Sequence, residues 1–430
     1  MAKNQIISVI FLGQEIGKIG YDENQRKSSF QYNPEFLVQN TYKRLFPYVI
    51  RRSQSVQIFS EFEGETFRGL PPMIADSLPD VFGNIVFKEW LESAHKDFHS
   101  ITPLEQLTYV GRRGMGALEF LPNKDLLTNS TINVAEMTEV VKKVLDVKTS
   151  ISEKGLTDLA LLNVFKIGTS AGGARPKILV SEHKETGELI PGDLETSEEY
   201  NHYLIKLSIE EDQGYSKEQI EYIYHIIAIK VGIEMMNSKL IDNKHFATFR
   251  FDRKNGKKIH VLTASGMTGW DFKKPEKSSY ENLFKLALDL KLPHKDIQQL
   301  FKRMVFNLVF GNIDDHLKNF SFQYDEEKDK WNLAPAYDLT YPLDALLNYT
   351  RVTRALSVNG KRNSILKSDL LEIAKLFSVK NPNGIIKEVV EATKMFRPLA
   401  EQYQIPSKVI DKIETEFNLF SSSGSVSLTV

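Results

Sequence analysis

Residues 311–338 read GNIDDHLKNFSFQYDEEKDKWNLAPAYD, and the opening part, Gly311 to Phe322, decides what kind of fold carries the chain. Asp314, Asp315, His316, Lys318 and Asn319 crowd together between apolar flanks. Such a run is a polar turn between core elements, a metal cluster, or the working end of an enzyme. Upstream, Ile297, Leu300, Phe301, Met304, Phe306 and Leu308 recur at helical spacing and stop at Gly311-Asn312. Asp314 is therefore expected in a loop leaving a buried helix, a rigid base for a polar group.

Working outward, Asn319 follows Asp314 by five positions. That is the spacing of a protein-kinase catalytic loop, where the Asp accepts the hydroxyl proton and the Asn holds Mg²⁺. Residues 319–325 and 331–337 read as two short strands joined by Glu326-Glu327-Lys328-Asp329. A hairpin there returns Asp338 beside Asn319, giving two oxygen ligands of the kind Mg²⁺ takes together with phosphates. An Asp-x₄-Asn pair alone arises readily by chance, and the plain reading of Asp314 is a solvated loop at a helix stop. Consecutive side chains diverge, so Asp314, Asp315 and His316 are not expected on one ion. A structural hydrogen bond is the expectation for His316, and Lys318 either neutralises a phosphate or faces solvent.

A phosphotransferase needs phosphate-binding groups upstream. Gly168-Thr169-Ser170-Ala171-Gly172-Gly173-Ala174 precedes a strand from Ile178 and offers backbone N–H groups, although it matches neither GxxxxGK[ST] nor the usual kinase glycine loop. Lys206 sits in the next apolar strand, as an edge residue or reaching toward phosphates. The helix after it carries a capping box, Ser216 with Gln219, and an apolar stripe of Ile220, Ile223, Ile227, Val231 and Met235. Glu221 on that helix is a candidate ion-pair partner for Lys206, with Glu218 its rival and a solvated Glu the plain alternative for both. Lys254-Asn255-Gly256-Lys257 between β-rich runs 245–252 and 258–263 predicts a tight hairpin. The basic residues around it read as a solvated surface, with nucleic-acid contact unforced.

The whole chain of 430 residues is too long for one small core. Hydrophobic content of 41% and charged content of 26% are those of a globular protein. A net charge of −1 supplies no whole-molecule field for nucleic acid or an anionic membrane. Without cysteine, disulfides, thiolate metal sites and cysteine nucleophiles are excluded. The start, MAKNQIISVIFLGQEIG, has too short an apolar run for a signal peptide, and no stretch is long enough to span a bilayer, so the expectation is cytoplasmic with no membrane partner. Residues 5–32 alternate like an antiparallel meander, 82–97 and 133–149 read as helices, and 278–291, 294–310, 367–378, 382–402 and 406–420 make the C-terminal part mainly helical. The class is α+β: β-rich first, helical later, two lobes with a cleft between them.

These residues together resemble the HipA family of bacterial serine/threonine kinase toxins. The resemblance covers nearly the whole chain and rests on ordered segments: Ser29-Phe30-Gln31-Tyr32, residues 111–118 (GRRGMGAL), 168–177 (GTSAGGARPK), Leu204-Ile205-Lys206, Phe251-Asp252-Arg253, the opening stretch, Tyr337-Asp338 and Asn359-Gly360-Lys361-Arg362. It implies a two-lobed protein-kinase-like fold divided as 1–120 (N-terminal subdomain), 121–264 (rest of the N-lobe), 265–420 (helical C-lobe) and a tail, 421–430. It implies ATP and Mg²⁺ as cofactors, Asp314 as catalytic base, Asn319 and Asp338 on the metal, and Lys206 on phosphate with Glu221 as its partner. The nucleotide site would further include Ser170, Ala171, Gly172, Gly173, Phe249, Phe251, His316 and Lys318. Ser170 would be the autophosphorylated residue that silences the kinase, with Thr169 adjacent as a competing assignment. Phe249 departs from the family, whose members often carry a polar or acidic residue there. The implied partners are a helix-turn-helix antitoxin of the HipB type, operator DNA through that antitoxin, and a protein substrate such as an aminoacyl-tRNA synthetase. Two other readings stand beside it: a catalytically weak binding module acting as corepressor, and a small-molecule or lipid kinase.

Overall fold

The computed structural model describes residues 5–123, 131–146, 156, 164, 168, 175–192, 197–209, 214–342 and 353–420. The fold is α+β, and the chain packs as two compact units. The first comprises Met1–Glu211, Met236–Gly269 and Gln323–Lys330; the second comprises Asp212–Met235, Trp270–Phe322 and Trp331–Val430.

In the first unit, β1 (Gln5–Phe11), β2 (Gln14–Asp22), β3 (Lys27–Tyr32), β4 (Gln57–Phe59) and β5 (Leu118–Leu121) form a sheet in the order β4-β3-β2-β1-β5. Alternation buries Ile7 and Val9 while Ile6 stays exposed, until a register shift between Val9 and Ile10 leaves both Ile10 and Phe11 buried. A second sheet contains β6 (Lys177–His183), β7 (Leu189–Pro191), β8 (Tyr200–Lys206), β9 (Ser238–Ile241) and β10 (His245–Phe249), ordered β7-β6-β8-β10-β9. One face of this sheet, with Ile178, Val180, Tyr203, Ile205 and Ala247, shares a core with Phe82, Val86 and Phe87 of the helix Val81–Ser93 and Val141 and Val144 of the helix Val134–Leu145. The short strands β11 (Arg253–Lys254) and β12 (Lys257–Lys258) pair across Asn255 and Gly256, whose φ values of 50° and 72° give the tight hairpin their residue types favour. Strand β13 (Val261–Thr263) follows.

The second unit is mainly helical. The helix Lys217–Lys230 begins with the expected capping box: Ser216 accepts from the Gln219 N–H at 3.0 Å, and Gln219 accepts from the Ser216 N–H at 2.8 Å. Although it lies in the 121–264 segment by chain order, this helix packs with the C-terminal helices. Tyr224 is fully buried against Phe306, Phe310 and Phe396, and its hydroxyl donates to the Phe310 carbonyl at 2.8 Å. The predicted stripe ends early: Gly232, at φ 75°, turns the chain, and the Ile233 N–H caps the Ala228 carbonyl at 2.9 Å. Met235 therefore leaves the helix and forms a parallel bridge with Ala336 instead. Further helices span Tyr280–Asp289, His294–Val309, Lys367–Leu376, Pro382–Ala392, Phe396–Gln402 and Ser407–Thr415. The last neighbouring strands, β14 (Ser321–Asp325) and β15 (Lys330–Leu333), close at their base through the Ala334 N–H to the Ser321 carbonyl, 2.9 Å. Among the described residues no helix is long and apolar enough to cross a membrane.

Candidate active site

The helix His294–Val309 buries Leu300, Phe301, Met304, Val305 and Phe306 almost completely, which makes it a fixed post for the loop at its C-terminal end. Gly311, at φ 66°, swings the chain off that end. Asn312 is buried at the start of the loop and acts as a connector. Its Oδ1 accepts from the Asp314 N–H at 3.3 Å, and its Nδ2 donates to Asn307 Oδ1 at 3.0 Å and to the Asp338 carbonyl at 3.3 Å. Residues Leu317–Asn319 form a 3₁₀ turn seated by fully buried Leu317. There the Asn319 Nδ2 donates to the Asp314 carbonyl at 2.8 Å. Tyr337 closes the arrangement: its hydroxyl donates to the Lys318 carbonyl at 2.7 Å and meets the Ser321 hydroxyl at 2.5 Å.

These bonds bring Asp314, Asn319 and Asp338 onto one connected piece of backbone. Asp338 holds a left-handed φ of 52°, a conformation that Asp tolerates better than most residues and that recurs at functional sites. The two adjacent acids part company. Asp314 is half-buried, whereas Asp315 is 1% exposed and points into the protein. Asp315 accepts from the Tyr280 hydroxyl at 2.7 Å and the Leu356 N–H at 3.3 Å, and pairs with Arg354 at 3.1 Å. Burial pushes its carboxyl up, opposed chiefly by the Arg354 charge. His316 and Lys318 lie against Phe272, the imidazole at 5.1 Å between ring centroids and the Lys318 Nζ 5.5 Å from the ring centre.

In the first unit Lys206 ends β8 and is buried. It stands opposite Phe246 on β10 and Lys177 on β6, so the three share one sheet face with Leu204, Leu179 and Thr248. Lys177, also buried and the last residue of the 168–177 segment, is a second cation there to which the sequence reading assigns no role. Its signal in the sequence is its position at the head of an apolar strand, opposite a second strand lysine. Phe249 is turned the other way: it pairs with Tyr203, ring centroids 4.5 Å apart, and packs on the core face. Its ring therefore lies on the opposite face of the sheet from Lys206, as strand alternation dictates, and its N–H is donated to the Asn237 carbonyl at 2.9 Å. The Phe251 carbonyl accepts from the Gln323 Nε2 at 2.6 Å. Glu221 is buried on the helix Lys217–Lys230 of the second unit, as is its rival Glu218. Thr169, Ser170, Ala171, Gly172 and Gly173 lie outside the described residues.

Next to Phe251 is a charge cluster built on the fully buried Asp252. Asp252 accepts two bonds from Arg250, at 2.9 and 2.8 Å, and one from Arg253 at 2.7 Å. It also takes the Gly116 N–H at 2.9 Å. The neighbouring arginines outweigh burial and hold its carboxyl well below the usual carboxylate range. Gly116 has φ 76°, and a Cβ there would lie 3.1 Å from the Val261 N, so this approach requires glycine.

The HipA N-terminal domain matches residues 7–121 and the HipA-like C-terminal domain matches residues 169–396. The provisionally named kinase Y4dM of Sinorhizobium fredii is 26% identical over 238 residues, 50% of this chain and 56% of that protein. The serine/threonine-protein kinase toxin HipA of Shewanella oneidensis is 24% identical over 247 residues, 50% of this chain and 51% of that protein. The chain thus matches about half the length of these relatives. A solved structure of the Shewanella oneidensis HipA, HipB and operator DNA complex has a chain that superposes with a TM-score of 0.62 at 17% identity, covering 96% of both chains, a likeness of fold. On the two matched domains, which succeed one another in the order that the motifs require, the chain belongs to the HipA family.

Proposed function

We propose that this chain is an ATP- and Mg²⁺-dependent serine/threonine protein kinase acting as a toxin. The observation that carries the reading is the bond from Asn319 to the Asp314 carbonyl, with Asp338 tied to the same loop through Asn312. It supports one general base and two metal-facing oxygen donors held on a common backbone. The donor set fits Mg²⁺, which takes oxygen ligands and shares them with phosphates. Asn319 and Asp338 would hold the ion, which when bound neutralises charge on the transferring phosphoryl group.

The remaining work falls to the chain. Asp314 orients the acceptor hydroxyl and takes its proton as the acceptor oxygen bonds to the γ-phosphorus of ATP, while the bond from that phosphorus to the bridging oxygen breaks and ADP leaves. Lys206, with Lys177 opposite it, offers positive charge to phosphate oxygens. Ser170 is the proposed autophosphorylation site; a phosphate there adds close to two negative charges to a loop meant for ATP phosphates, which would repel them. The acceptor we infer is a protein hydroxyl, with a translation component such as an aminoacyl-tRNA synthetase as the first target class to examine. A HipB-like antitoxin is the proposed partner, and operator DNA is reached through it. The near-neutral chain and the shared fold with the Shewanella HipA of the operator complex support this division of labour.

The test is incubation with γ-labelled ATP and bacterial lysate, then mass spectrometry of the products. Label on protein Ser or Thr supports the reading, and label confined to metabolites overturns the protein-kinase assignment. Asp314→Asn and Asp338→Asn should each abolish transfer while the circular dichroism spectrum is kept.

A further inference from the structure

Arg354 lies 39 positions after Asp315, yet its guanidinium is 6% exposed and spent largely on the 307–315 segment. Nη2 donates to the Asn312 carbonyl at 2.8 Å and the Asn307 carbonyl at 3.3 Å, and Nε donates to Asp315 Oδ2 at 3.3 Å. The next two residues continue the attachment. The Ala355 N–H reaches the Ile313 carbonyl at 2.8 Å, and the Leu356 N–H reaches Asp315 Oδ1 at 3.3 Å. Contacts from 354–356 therefore fall on residues 312, 313 and 315, on both sides of Asp314.

The lashing is itself supported from behind. Arg362 donates to the carbonyls of Arg354, at 3.2 Å, and of Ala355, and also to those of Pro275 and Ser278, both at 2.9 Å. On the far side of Asp315, Tyr280 donates to the carboxylate and receives the Asn307 amide at 3.0 Å. Two planar guanidinium groups and one buried carboxylate thus fix a loop that has little regular secondary structure of its own.

We propose that Arg354, acting through Asp315 and the Asn312 carbonyl, is a positioning residue for Asp314. The inference rests on the kinase reading above. A fixed base matters because an ångström of misplacement is enough to cost catalysis about a hundredfold. Lysine cannot replace it: a single ammonium on a flexible stem does not span Asn307, Asn312 and Asp315 in one plane.

The experiment separates positioning from folding. Arg354→Met strands the Asp315 carboxylate in the interior and will lower the melting temperature. The double variant Asp315→Asn/Arg354→Met removes both charges and should recover most of that stability. Positioning predicts that its kcat for autophosphorylation stays about a hundredfold low with the KM for ATP unchanged, and that Arg354→Lys shows the same split. It also predicts faster amide exchange in the 311–319 peptide, with the helix His294–Val309 still protected. A double variant that regains wild-type kcat, or wild-type protection of 311–319, overturns the proposal. Wild-type protein that transfers no phosphate overturns the kinase reading and the catalytic half of this inference; the exchange data still decide the lashing.

Discussion

Asn319 gives its side-chain amide to the Asp314 backbone carbonyl at 2.8 Å, which converts a five-residue spacing into a fixed relation between the Asn319 side chain and the Asp314 backbone. Because the acceptor is a carbonyl, the nitrogen must face the loop, and Oδ1 is left turned away from it. Asn319→Ala removes both the tie and the oxygen. Phosphate transfer should fall about a hundredfold or more, while stability changes by about 1 kcal/mol, the worth of one half-buried hydrogen bond. Asn319→Asp keeps an oxygen but sets a carboxylate against the carbonyl, so it should not rescue. Initial rates over a Mg²⁺ titration, paired with urea unfolding, check this; wild-type rates in Asn319→Ala would remove Asn319 from the site.

Lys206 and Lys177 face the same side of a sheet from directly opposite positions. An anion bound on that face gains from both cations, so nucleotide binding should raise the melting temperature. A ligand at 100 times its Kd stabilises the folded state by about 2.7 kcal/mol. Lys206→Met should lose most of the ATP-induced rise, because one of the two cations is gone. Thermal melts with and without ATP measure it, and an undiminished shift in the variant would place the phosphates elsewhere.

The catalytic-loop candidate is legible in the sequence because its logic is local: helix exit, Asp-x₄-Asn spacing and a short hairpin returning to Asp338 all fall within about 45 residues of Pro293. The capping box at Ser216 and the Asn255-Gly256 turn are legible for the same reason. Arg354 is not, since nothing near it in the chain signals that Asp315 will need a cation 39 positions away. Met235 leaves the helix that its stripe predicts because apolar periodicity does not register that Gly232 is free to turn left-handed and end it. Motif position does not say which face of β10 the Phe249 ring takes; the alternation of that strand decides it.

Asp252 joins two arginines and the Gly116 N–H with no exposed side-chain surface. Its folded-state proton affinity is depressed, so its stabilisation is complete above the unfolded carboxylate range and is lost as pH falls below it. Asp252→Asn leaves two buried guanidinium groups without their shared counter-charge and should cost about 3–5 kcal/mol at neutral pH. Below the carboxylate range the wild-type advantage should shrink. Urea midpoints for both proteins at neutral pH and near pH 2.5 test this, and an equal gap at both would rule out the charge as the source.

Buried histidines set the acid limit at higher pH. Burial holds His202, His225 and His245 down to about 4 and His260 down to about 3, each below the ordinary value of 6.5. The unfolded chain therefore binds protons between about pH 6.5 and 4 that the folded chain refuses, so stability is full above 6.5 and falls as pH drops through that window. Each tenfold gap in proton affinity is worth about 1.4 kcal/mol, enough for several such residues to threaten a marginal fold. His245 shows the cost directly, because its Nδ1 accepts the Ser208 N–H at 2.9 Å and cannot do so once protonated. His245→Asn keeps an acceptor oxygen for that N–H but cannot titrate. Urea midpoints between pH 7.5 and 5 should fall for the wild type and fall by about one proton's worth less for the variant. A flat wild-type profile over that range would show that these imidazoles are reached by water before the protein unfolds.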